Sequence, residues 1–170
     1  MTNRQKFRVG IAALAMAPLL GSPLVAEDAI SIPDAKRATL NCVETMQSDE
    51  DWNICLGLMF APCAGQEVGS EGHVSCLFDE REAWRTIFDA QFDDLTDRLN
   101  ATGTTELANL IGQWTGYVAN KCNAVAQDKE GAFADAAQYG CEISEYVGVS
   151  AELRACKDGL STAPYCQLKG

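Results

Sequence analysis

Residues 76–99 read CLFDEREAWRTIFDAQFDDLTDRL, and their apolar members fall on one line of a helix. Leu77, Trp84, Phe88, Phe92, Leu95 and Leu99 recur close to the roughly 3.6-residue period of an amphipathic α-helix. The spacing predicts one long helix over residues 71–99. Asp89, Asp93 and Asp97 form a second row at four-residue spacing, with Glu82 and Asp94 nearby. Like charges at that spacing repel along a helix and weaken it. The row needs solvent or a partner.

The pattern continues in both directions. Asn100-Ala-Thr-Gly103 stops the first long helix, and Thr104 is placed to cap a second over residues 105–127. Its stripe is Leu107, Leu110, Ile111, Trp114, Tyr117, Val118, Cys122 and Val125. So short a connection predicts two antiparallel helices packed through their stripes. A break at residues 128–131 precedes a last helical region from Ala132, expected to be interrupted near Gly148, and an irregular tail after Lys157. Upstream, Pro33 suits the first turn of a helix that carries Leu40, Val43 and Met46. Ser48 and Asp51 look like the start of a short helix through Trp52, Cys55, Leu56 and Met59, ended by Pro62, with a loop over 65–72. No alternating strand pattern of useful length appears. The expected fold is all-α: a long antiparallel helical hairpin or small bundle with additional short helices, stapled by disulfides.

The N-terminus predicts export. Arg4, Lys6 and Arg8 precede an apolar run over residues 9–20, then Gly21-Ser22-Pro23 and Ala26. Basic, apolar and small segments in that order predict a cleavable secretory signal at residues 1–26. The run is shorter than the roughly 20 residues a membrane-spanning helix needs. The expected mature chain, residues 27–170, is the size of one domain. Cleavage removes three positive charges and no negative one, taking the net charge from −11 to −14. Nucleic acid and anionic lipid are poor partners for such a surface, whereas a basic protein would be attracted to it.

All eight cysteines, Cys42, Cys55, Cys63, Cys76, Cys122, Cys141, Cys156 and Cys166, lie beyond that signal. An even number in an exported chain predicts four disulfides and a periplasmic or secreted location. A metal site is disfavoured, because no Cys-x-x-Cys pair exists and His73 is the lone histidine. Eight cysteines allow about a hundred pairings, and spacing alone does not choose among them.

Several of these residues carry a resemblance. CLFDEREAWRTIFDAQFDDL, then IGQWTGYVANKC, then YGC resemble the LprI-type lysozyme-inhibitor domain family over about residues 42–150. Cys76, Glu80 and Trp84 match the opening of that family's first long helix. Phe88, Asp89 and Phe92 stand where its Leu-Asn-x-x-Tyr segment would be. Gln113, Trp114, Tyr117 and Cys122 match its second helix, and Gly131 and Cys141 its turn and third helix. The chain departs from the pattern in losing that amide and hydroxyl, and in having Val149 where an arginine is expected. The resemblance implies a helical, cysteine-bearing, non-enzymatic binding module with no cofactor. It implies a basic partner such as lysozyme.

Physical readings of the same residues stand beside it. Trp84, Phe88, Trp114 and Tyr117 read as the aromatic seam of the hairpin. Cys122 and Cys141 flank the second turn, where antiparallel helices could bring them together, so that bridge is the first expected. Catalysis by a nucleophile and base would hang entirely on His73, better read as a first-turn residue. Carboxylates are too abundant to identify a hydrolase pair. Asp89, Asp93 and Asp97 read either as a solvated face or as a docking row for a cationic protein. Asn100-Ala101-Thr102 matches a glycosylation sequon, which means nothing in the bacterial protein the resemblance implies. The leading expectation is an exported binding protein of the lysozyme-inhibitor kind. A structural or assembly factor of the cell envelope is the alternative, and a carboxylate-dependent hydrolase a distant third.

Overall fold

The computed structural model describes residues 32–46, 52–58, 61–63 and 65–167. The expected signal segment, Ser48, Asp51 and Met59 lie outside the described residues. Four α-helices are present among them: α1 (Ile32–Thr45), α2 (Glu71–Thr96), α3 (Ala101–Ala126) and α4 (Ala132–Lys157). Short 3-10 turns at Trp52–Cys55, Ala61–Cys63 and Pro164–Gln167 complete the elements. The fold is all-α, as the periodicity predicts. No helix among the described residues is long and apolar enough to cross a membrane.

Helices α2, α3 and α4 each have 26 residues, about 39 Å at the usual rise. Equal lengths joined by short turns return the chain to its starting end, so α4 runs parallel to α2. The cross-helix pairs show this in sequence order: Phe78 with Tyr139, Arg81 with Glu142, Asp94 with Lys157. Helix α3 runs antiparallel to both, as the short connection predicts. It lies mainly along α4, however, and α2 packs chiefly on α4. The reason is the buried line Ile143, Val147, Ser150, Leu153 and Cys156, which gives α4 an apolar face toward both neighbours. The expected interruption near Gly148 does not occur. Gly148 points outward inside an unbroken helix, where a glycine costs roughly 1 kcal/mol of propensity but leaves the ladder intact.

Two clusters make up most of the core. Around Trp84, which is fully buried, pack Val43, Met46, Trp52, Cys55, Ile87, Ile143 and Val147. This cluster joins α1 and the Trp52–Cys55 turn to α2 and α4. The second holds Phe88, Leu95, Leu107, Leu153 and Cys156, flanked by partly buried Phe92, Trp114 and Tyr146. Here all three long helices meet.

The helix starts are set by side chains. Ser70 accepts from the His73 amide at the start of α2. Asn100 does the same for α3, accepting from Gly103 N at 2.9 Å. Asn100 is therefore the cap expected of Thr104, and α3 begins earlier than its stripe suggests. That bond also engages the carboxamide of the sequon match. Gly131 opens α4 at φ +54°, a backbone conformation that favours glycine.

Four disulfides join each cysteine to the next along the chain: Cys42–Cys55, Cys63–Cys76, Cys122–Cys141 and Cys156–Cys166. Their Cα separations run from 4.8 to 6.3 Å, within the usual span. The expected Cys122–Cys141 bridge is present and fastens the end of α3 to α4. The tail after Lys157 is closed back on α4 by Cys156–Cys166, so it is more ordered than the sequence suggests. Four bridges fit an oxidising compartment.

Candidate functional site

Helix α2 carries its buried residues (Cys76, Glu80, Ala83, Trp84, Ile87, Phe88, Leu95) on one side. Counting 100° per residue places Asp89, Asp93 and Asp97 on the opposite side, and all three are exposed. Among the described residues none of them makes an ion pair. Their neighbours differ. Asp94 is bonded by Lys157 at 2.5 Å and Arg98 at 3.2 Å, and the Lys157 bond, ahead of the others, holds its pKa down. Glu82 receives Arg81 at 2.8 Å. What remains is a run of three uncompensated carboxylates, successive ones about 6 Å apart along the axis. They approach the C-terminal end of α2, where the helix dipole also disfavours negative charge. No basic residue occupies the last turn of α2 to relieve it.

Glu80 is the only buried carboxylate among the described residues. It accepts a 2.7 Å bond from the Gly57 N–H, 23 residues earlier in the chain. Gly57 sits at φ +79°, so the turn that presents this N–H favours glycine. Glu80 thus ties the stapled N-terminal turns to α2, a structural task. Burial is the largest influence on its carboxyl and raises the pKa above the ordinary 4.5. The Gly57 bond and the adjacent Trp84 indole pull it partly back, although the indole N–H falls short of hydrogen-bond geometry.

The folded chain therefore holds the Glu80 proton more tightly than the unfolded chain does. The associated stability is fully present below pH 4.5 and is lost as pH rises through the raised folded value. Urea denaturation from about pH 4 to 7 is expected to show the wild type losing stability relative to Glu80→Gln as pH rises. Parallel curves for the two proteins would rule burial out as the cause.

The aromatic residues divide differently from the expected seam. Phe88 stacks with Trp114 at 5.3 Å between ring centroids, and Tyr146 of α4 closes the triangle at 5.7 and 5.6 Å. Phe92 stacks on Phe88 at 6.2 Å. Tyr117, expected in the seam, is 57% exposed and lies beside the Lys121 ammonium. The reason is that among the described residues α3 has one close neighbour along this part, α4, so only a narrow line of its stripe is covered. Gln113 is also exposed. Tyr146 stands outside the stripes that the sequence defines, and its aromatic ring amid α4 is the signal that marks it.

His73 is partly buried in the first turn of α2, where its Nδ1 accepts from Gly69 N at 3.4 Å. It serves the turn into the helix. Glu152, Cys156 and Cys166 come close enough to suggest a metal, but both sulfurs are joined to each other and offer no thiolate. Glu152 is instead hydrogen-bonded by the Ser161 hydroxyl.

Cavities lie elsewhere. One of about 430 Å³ opens between the first turns of α2 and α4, lined by Glu71, Phe78, Asp135 and Tyr139 among others. A second, about 200 Å³, lies beside Trp114, Val118, Glu142 and Tyr146. Glu80 lines neither. No protein-family model, curated protein or solved structure matches the chain.

Proposed function

We propose that the protein is an exported, non-enzymatic binding protein, periplasmic or secreted, of the LprI lysozyme-inhibitor kind. Its basic partner docks on the acidic face of α2. The observation that carries this reading is the unpaired row Asp89, Asp93 and Asp97, opposite the core. A purely structural helix gains nothing from three like charges near its C-terminus, and each adjacent pair costs a few tenths of a kcal/mol. A cationic protein surface would turn that repulsion into attraction and speed encounter.

The test is a lysozyme activity and binding assay with the oxidised mature protein across a salt series. Inhibition is expected to weaken between low and physiological salt, where the screening length falls to about 8 Å. Replacing the three aspartates by asparagine (D89N, D93N, D97N) is expected to lower the association rate about tenfold at low salt and to change dissociation little. The fold should gain slightly in stability from the same change. Strong inhibition indifferent to both salt and the triple substitution would reduce the row to a solvated face. No inhibition at any salt would favour the envelope-factor reading.

A further inference from the structure

We propose that the cavity between the first turns of α2 and α4 receives an arginine side chain from a basic protein partner. The assignment rests on the reading of this protein as a receiver of such a partner, and it adds a second contact at the other end of α2.

Two aromatic rings and two carboxylates line the space: Phe78 and Tyr139, Glu71 and Asp135. The rings stand edge to face, 5.8 Å apart. They already hold one guanidinium, because the Arg81 head lies 4.5 Å from the Phe78 centroid and 4.6 Å from that of Tyr139. Arg81 is itself neutralised by Glu82 and Glu142, so it does not compensate the cavity's own carboxylates. Among the described residues, no lysine, arginine or histidine lines the cavity. Glu71 and Asp135 make no ion pair among the described residues.

A competing account makes both acids simple first-turn residues that answer the positive ends of α2 and α4. The magnitudes decide against it as the whole explanation. Two helix ends supply about half a positive charge each, against two full negative charges, which leaves about one negative charge unanswered. Negative charge beside aromatic rings is the setting that favours a planar cation over an anion or a neutral group. At about 430 Å³ the cavity has room for an arginine side chain.

The test is an NMR titration of the oxidised mature chain with Nα-acetyl-L-argininamide, and with its uncharged isostere Nα-acetyl-L-citrullinamide. The arginine compound is expected to shift Phe78, Ala132 and Tyr139 signals and to bind about tenfold more tightly than the citrulline compound. The double change Glu71→Gln with Asp135→Asn should weaken arginine binding about tenfold while helix content holds. Equal response to the two compounds, no shift at these residues, or no effect of the double change would overturn the assignment. No lysozyme is present, so failure here leaves the acidic-face reading standing. A positive titration beside a negative lysozyme assay would keep the arginine site and direct it to another basic protein.

Discussion

Alanine in place of Trp84 is expected to lower the unfolding free energy by about 3–5 kcal/mol, the largest loss from any single side chain here. Trp84 is fully buried, and its neighbours come from three helices and a turn. The cost of such a deletion depends on how far the walls can close over the space left behind. One wall cannot close readily, since the Cys42–Cys55 bridge pins the Trp52 turn to α1. Trp114→Ala should cost clearly less, because Trp114 is only partly buried and flanks its cluster. Urea denaturation of the oxidised proteins measures both. A loss for Trp84→Ala below about 1.5 kcal/mol, or no larger than for Trp114→Ala, would show that α1 and its turn are loosely seated.

Replacing Cys122 and Cys141 together by serine is expected to cost about 3 kcal/mol from the freed unfolded chain. The more telling effect concerns α3. It buries only Gly103, Leu107, Val118 and Cys122, so over its second half the bridge supplies attachment that packing supplies elsewhere. Amide exchange over residues 115–126 should quicken markedly in the double variant, while the centres of α2 and α4 stay protected. Cys166→Ser frees a loop with separation 10 rather than 19, and chain entropy alone sets the two only about half a kcal/mol apart. A larger gap in Tm is expected because the Cys122 bridge holds a helix and the Cys166 bridge a short tail. Uniform exchange across all helices in the Cys122/Cys141 variant would show that α3 does not loosen separately.

The long helices were legible because Trp84, Phe88 and Leu95, like Leu107 and Val118, repeat at a period that local chemistry alone dictates. The partnership of α2 with α4 was not. In α4 the buried Ile143, Val147 and Leu153 are spaced among Gly140, Gly148 and Ser150, so the stripe looks broken until a neighbour fills it. Tyr117 shows the converse failure: it sits at a stripe position, but no element among the described residues covers it. Of the candidate residues, the exposure of Asp89, Asp93 and Asp97 followed from their angle to the tryptophan line. The task of Glu80 did not, since its partner is a backbone N–H in a distant glycine turn, and backbone groups leave no mark in a sequence. The arginine cavity was equally hidden, because it joins the starts of two helices 61 residues apart.

The bridging of each cysteine to its successor bears on how the molecule is made. A chain entering an oxidising space from its N-terminus presents its thiols in order, and each even-numbered one arrives when a single unbonded predecessor awaits it. Oxidation in order of arrival gives Cys42–Cys55, Cys63–Cys76, Cys122–Cys141 and Cys156–Cys166 with nothing to reshuffle. Of the roughly one hundred ways to pair eight cysteines, this is the one that a simple oxidant reaches without a disulfide isomerase.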